Sequence, residues 1–181
     1  MGEDKPPAPP PEPSLTSSPV PPVGPDDHVR GEGLEAIVYL DLACPRCAGA
    51  WARIASLDLR LCVRHFPIAS KRPRSPALHA AAEAASRHSE AAFWAYWDSL
   101  LSDRSRVDDP HLWERAERLG IDLDAFEGDR RSAEVEARIK RDFASGIRAG
   151  VVETPTGFVA GRRLEGELAD ALAELARVSG P

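Results

Sequence analysis

Two cysteines in DLACPRCAGAW, residues 41–51, carry the side chains in this chain best suited to chemistry, Cys44 and Cys47. A Cys-x-x-Cys pair can cycle between dithiol and disulfide, supply half of a zinc site, or pack as two small buried groups. The flanking elements discriminate between these. Residues 36–42, AIVYLDL, form a near-continuous apolar and β-branched run, the pattern of a strand buried on both faces. Cys44-Pro45 then opens a helix, because proline fits the first helical turn. The first cysteine therefore meets a helix N-terminus, where unpaired N–H groups and the positive end of the helix dipole favour a thiolate. Cys44 is the candidate nucleophile. Cys47, one turn further on, is the candidate resolving thiol, placed to attack a mixed disulfide at Cys44. Pro45 and Arg46 complete the loop, and the Arg46 charge favours the thiolate if it faces the sulfurs.

Zinc is a competing reading, since Cys44, Cys47, Cys62 and His65 have spacings that a metal site uses. Against it, LRLCVRHFPIA (residues 59–69) alternates apolar and polar positions as a strand does, and residues three apart in a strand face opposite sides. Cys62 then reads as a small buried hydrophobe. Asp41 stands at the end of an otherwise apolar strand and is either a buried, perturbed carboxylate at the active-site edge or an exposed strand end. Trp94, Trp97 and Trp113 are expected to pack the helical region. His79, His88 and His111 are expected on solvated positions, and Lys71, Arg72, Arg74, Arg162 and Arg163 as surface charge.

These residues belong to a chain of 181 with a formal charge of −6, which fits one domain and disfavours a general nucleic-acid binder. No apolar run approaches the roughly 18 residues that span a bilayer. No basic segment followed by an apolar one marks a secretory leader, so the expected compartment is the cytoplasm, where a structural disulfide framework is not expected. Residues 1–27 are proline-rich with few core-forming side chains and are expected to form a disordered tail, a possible ligand for a partner domain. Order is expected from His28. A β-α-β opening over residues 28–72 precedes a helical stretch over 73–131, with helices read at Ala80 to Leu101, from the Asp109-Pro110 cap, and over IDLDAFEGD. Residues 132–181 supply a helix from Ser132 to Ala149, a hairpin at Thr156 to Glu165 and a last helix.

YLDLACPRC, then VRHFPIA, an alanine-rich helical insertion, GVVETPTGFVAGRRLEG and a final helix together resemble the DsbA-like branch of the thioredoxin superfamily over about residues 28–178. The resemblance implies an α/β thioredoxin fold with an inserted α-helical domain, and thiol–disulfide exchange with protein or small-thiol substrates, with no cofactor and no metal. It makes Cys44 the attacking and Cys47 the resolving cysteine, Pro155 a cis-proline facing them, and Thr154 the residue whose backbone pairs with an extended substrate. Two departures are visible. Ala43 stands where many relatives carry an acid before the first cysteine, with Asp41 a partial substitute. Gly157 replaces a bulky apolar residue after TPT, widening the groove or loosening the strand. A glutathione-dependent enzyme on the same fold is a further alternative.

Overall fold

The computed structural model describes residues 18–179. Its elements run β1 (His28–Arg30), β2 (Leu34–Leu40), α1 (Pro45–Ile54), β3 (Leu59–His65), α2 (Ser75–His88), α3 (Glu90–Ser102), α4 (Asp109–Arg118), α5 (Leu123–Arg130), α6 (Ala133–Arg148), β4 (Thr156–Val159), β5 (Arg162–Arg163) and α7 (Leu168–Ser179). The strands form one sheet in the order β1-β3-β2-β4-β5. β2 and β3 are parallel, with Leu40 beside His65, whereas β1, β4 and β5 pair antiparallel with their neighbours.

The central strand is apolar throughout because each face meets a different layer. Ala36, Val38 and Leu40 of β2, with Leu59, Leu61 and Val63 of β3, join the cluster formed with α1, α2, α3 and α7. Ile37 and Tyr39, with Cys62 and Phe66, face the opposite cluster, which Phe143 of α6 and the segment around Val20 complete. α6 lies close on that face because Gly146 has no side chain: a Cβ there would come within 2.7 Å of Phe66 and 3.0 Å of Tyr39. The inserted helices share one continuous core with the sheet rather than building their own.

Three expectations change. The single helix over Ala80 to Leu101 is two helices, and the first begins earlier, at Ser75. Ser89 breaks the run in extended backbone and accepts a hydrogen bond from the Ala92 N–H at 3.0 Å, a cap that starts α3. Asp108, not Asp109, caps α4. Order also begins before His28. Of the expected tail, residues 1–17 lie outside the described residues, but residues 18–27 pack against the sheet: Val20 is buried, and the Ser18 N–H bonds the Arg148 carbonyl at 2.8 Å. Arg64 of β3 anchors this segment, donating to the carbonyls of Pro21 (2.9 Å) and Pro22 (3.0 Å) and to the Asp27 carboxylate (2.8 Å). Proline lacks an N–H but keeps its carbonyl, so a proline-rich strap serves well as an acceptor for a buried guanidinium.

Breaking a buried ion pair from one side leaves an uncompensated charge. Asp27→Ala, which strands Arg64, is expected to destabilise the protein by about 3 kcal/mol, measured as a lower denaturant midpoint with an unchanged slope.

Candidate active site

The end of β2 and the start of α1 set the site. Cys44 occupies the N-cap of α1 in extended backbone (φ −84°, ψ 124°) with Pro45 immediately inside. Its N–H bonds the Asp41 carbonyl at 2.9 Å, and its carbonyl accepts the first helical bond from Ala48 at 3.1 Å. Cys47 follows one turn later on the buried face, and both thiols are free with 0% exposure. Across from them runs the loop before β4, where the Thr154–Pro155 peptide bond is cis. The Cys44 thiol points at the Thr154 carbonyl, 3.6 Å away, and the buried Thr154 hydroxyl has no hydrogen-bond partner among the described residues.

The two sulfurs differ in acidity. A hydrogen bond from the Cys47 thiol is the largest influence on Cys44; the Cys47 backbone, Thr154 and the Arg72 charge add to it, and together they outweigh burial and hold Cys44 at about 5. Burial, reinforced by the bond to Cys44, pushes Cys47 far above the ordinary thiol range. The arrangement thus offers one ionised, nucleophilic sulfur and one that keeps its proton.

Asp41 is buried, at 0% exposure, and not an exposed strand end. Its carboxylate accepts from the Ser75 hydroxyl (2.6 Å), the Ala43 N–H (2.9 Å), the Ile68 N–H (3.1 Å) and the Arg72 guanidinium (3.2 Å), and His79 Nε2 lies 3.8 Å away. Burial raises its pKa, but His79, Ser75 and Ala43 outweigh that and lower it to about 2. Its own N–H reaches Cys47 Sγ at 3.4 Å.

Other expected site residues stand apart from the sulfurs. Arg46 turns outward to pair with Glu153 at 2.9 Å, with both side chains at least half exposed. Arg72, expected as surface charge, is the arginine that acts on Cys44. Gly157 neither widens a groove nor loosens the strand: a Cβ there would meet Leu168 of α7 at 2.3 Å, so the leucine fills the space. The proposed zinc ligands do not converge. Cys62 lies in the cluster on the far face of the sheet from Cys44 and Cys47, and burial pushes its thiol up to about 12. His65, three residues on, points to the near face and bonds Glu83 and His79. His79 is likewise interior, not solvated, whereas His88 is exposed. Trp94 and Trp97 are buried, and Trp113 is partly exposed. His79 was missed because one histidine in an alanine-rich helix has no sequence signature; only the packing of α2 beside Asp41 brings it to the site.

A mixed sheet of this order, with a dithiol at the N-terminus of the helix after its central strand and helices inserted before the final hairpin, is the thioredoxin fold of DsbA-type thiol–disulfide oxidoreductases. The DSBA-like thioredoxin domain family matches residues 36–177, and the chain belongs to that family. Solved structures agree on the fold. A thioredoxin-like oxidoreductase from Silicibacter pomeroyi DSS-3 superposes with a TM-score of 0.74 at 24% identity, covering 86% of this chain and 92% of its own. The thiol-disulfide exchange protein alpha-DsbA2 from Wolbachia pipientis gives 0.73 at 19% identity, covering 83% and 85%. Among curated proteins, the chain is 37% identical over 156 residues to a Na(+)/H(+) antiporter NhaA of Herminiimonas arsenicoxydans, 81% of this chain and 24% of that protein. The chain spans about a quarter of the length of the curated relatives it matches. Among the described residues, no helix is long and apolar enough to cross a membrane.

Thiolate absorbance of the reduced protein is expected to titrate near pH 5 and to lose that transition in Cys44→Ser. Because the folded value lies below that of an unfolded thiol, ionisation of Cys44 stabilises the reduced fold at higher pH. That stability, measured against Cys44→Ser by denaturant unfolding, is lost as pH falls through about 5.

Proposed function

We propose that the protein exchanges disulfides with cysteine-bearing proteins and small thiols through its Cys-Pro-Arg-Cys pair. In the first step, the Cys44 thiolate attacks a substrate disulfide, forming a Cys44–substrate disulfide and releasing the other substrate sulfur as a thiolate. In the second, Cys47 gives up its proton and attacks Cys44 Sγ, forming the Cys44–Cys47 disulfide and releasing the remaining substrate thiolate. The substrate disulfide is reduced and the protein pair oxidised; the reverse sequence oxidises a substrate dithiol.

The observation that carries this reading is the split between the two sulfurs, Cys44 at about 5 and Cys47 far above the ordinary range, with Thr154 and Pro155 facing the nucleophile. A metal clip would need both sulfurs ionised; an exchange pair needs one. The stabilised thiolate also stabilises the reduced pair, which biases exchange towards oxidising the substrate. Thr154 and Pro155 are assigned the extended substrate segment, by main-chain pairing. No cofactor enters either step.

Incubated with oxidised glutathione, Cys47→Ser is expected to accumulate one glutathione per chain by mass, and Cys44→Ser none. If Cys47→Ser gains no adduct while Cys44 still reacts with an alkylating agent, the exchange mechanism is wrong.

A further inference from the structure

The loop between α3 and α4, residues 103–108, is held from beneath by two arginines. Arg115 of α4 has 3% of its surface exposed, and its guanidinium donates to the carbonyls of Asp103 (3.0 Å) and Arg106. It also donates to the Ser99 hydroxyl at 3.1 Å, and Arg74 donates to the Val107 carbonyl at 2.7 Å. Both sides of the Arg104-Ser105 tip are thus pinned. A guanidinium taken from water needs acceptors in place of solvent, so the bonds that satisfy Arg115 also fix the loop.

The pinned tip carries Arg104 to the edge of the dithiol. Arg104 is exposed, and its Nη2 donates to the Ala43 carbonyl at 3.3 Å. The covalent path from that oxygen to Cys44 Sγ is one peptide bond and one short side chain. The guanidinium therefore stands within about 10 Å of the nucleophile, comparable with the Debye length at about 0.1 M salt. Among the described residues, Arg104 pairs with no carboxylate, and the rest of its fork of donors is open to solvent.

Positive charge is in surplus around it. The Cys44 thiolate feels Arg72 and is felt by Arg46, while Lys71 and Arg163 act on Glu153. The nearby acids are engaged. Glu153 pairs with Arg46 at 2.9 Å, Asp41 is buried among its donors, and Asp103 accepts from the Ser105 hydroxyl at 2.8 Å and lies 3.8 Å from Arg115. Glu167, just before α7, faces Arg46 and Arg53. In a chain of formal charge −6, this rim runs against the overall sign.

We propose that Arg104 selects the substrate by pairing with a carboxylate close to the reacting disulfide, so that the protein exchanges preferentially with carboxylate-bearing disulfides. The selection rests on the exchange reading above and names its substrate class. A guanidinium fork matches a carboxylate in geometry as well as charge. An ionised Cys44 repels an anionic disulfide, and a fixed cation beside it offsets that repulsion. With the carboxylate on Arg104, the Cys44 thiolate attacks the nearer substrate sulfur. The Cys44–substrate bond forms as the substrate S–S bond breaks, and the electron pair of that bond leaves on the other sulfur as a thiolate.

The test measures, at pH 7 and low salt, the rate at which the reduced full chain attacks three small disulfides. These are 3,3'-dithiodipropionate, with two carboxylates, 2-hydroxyethyl disulfide, with no charge, and cystamine, with two ammonium groups. Each rate is divided by that of free mercaptoethanol with the same disulfide, which removes intrinsic reactivity. The expected order is anionic, neutral, cationic, with anionic over neutral by at least about fivefold and a narrower gap in about 0.5 M salt. Arg104→Gln keeps an N–H donor for the Ala43 carbonyl but removes the charge, and is expected to cut the anionic-to-neutral ratio by at least about threefold. Arg104→Lys is expected to keep most of it. A change in the acidity of Cys44 scales both rates alike and cancels in the ratio. Arg106→Gln, on the same loop but paired with Glu114, is expected to leave the ratio at the wild-type value. Equal normalised rates for the three disulfides, or a ratio that Arg104→Gln does not move or that Arg106→Gln moves as much, overturn the selection. Wild-type protein that attacks none of them overturns the exchange reading as well. Cystine peptides flanked by glutamate or by lysine identify the source. A glutamate preference there assigns the carboxylate to a protein segment; none, with the small-disulfide order intact, assigns it to a low-molecular-weight thiol.

Discussion

A single carboxylate with no exposed surface, Asp41, joins the pieces of the active site. It takes hydrogen bonds from the turn that leads into α1, from the loop after β3 through Ile68 and Arg72, and from Ser75 at the start of α2. A buried anion is costly unless each lone pair is used, and here the partners come from segments far apart in sequence. The charge can be satisfied only when those segments are assembled. The position of Cys44, three residues on, follows from that assembly: its N–H closes on the Asp41 carbonyl, and α1 starts from there.

The inserted helices are therefore part of the site rather than a separate body on top of it. α2 contributes Ser75, His79 and Glu83, and the break at Ser89 turns α3 so that Glu90 meets His28 and Phe93 stacks on the same ring at 3.5 Å. A single uninterrupted helix over that stretch would carry Glu90 onward along the α2 axis, away from β1. On the other face, Arg64 closes the sheet with the proline-rich strap, and Tyr39 links Arg64 (3.1 Å) to Ser145 of α6 (2.8 Å). Each face thus carries a buried polar network set into apolar packing, and Cys62 lies on the far face of the sheet from the dithiol.

What the sequence revealed is what depends on local pattern. The apolar run of β2, the proline after Cys44, the alternation of β3 and the cap of α6 at Ser132 are short-range signals, and they locate the dithiol, the helix it starts and the loop that faces it. What it hid depends on which distant residues meet. His79 and Arg72 read as surface groups because polarity is the only signal they carry alone. Residues 18–27 read as tail because composition records how few core side chains they have and says nothing of the carbonyls that Arg64 uses. The Ser89 break was written in the chain as a serine followed by an acid, but alanine-rich helical periodicity on both sides masked it. Opposed strand faces did foretell that Cys62 and His65 would not share a metal.

Splitting the acidity of two adjacent sulfurs has a cost that shapes the rest of the molecule. Burial makes Cys47 a poor acid, which lets it hydrogen-bond the Cys44 thiolate and lower its pKa, but the same burial denies Cys47 water when its turn to ionise comes. On the same buried side, the Asp41 N–H reaches that sulfur at 3.4 Å, while the Asp41 carboxylate is held by Ala43, Ile68, Arg72 and Ser75. Beside that carboxylate, His79 bonds His65, and His65, Glu83 and His28 continue a line of buried groups to the half-exposed Glu90. The tuned nucleophile and the buried acid follow from one constraint: a negative charge at the edge of a dry core is held only where protein groups replace the water that burial removes.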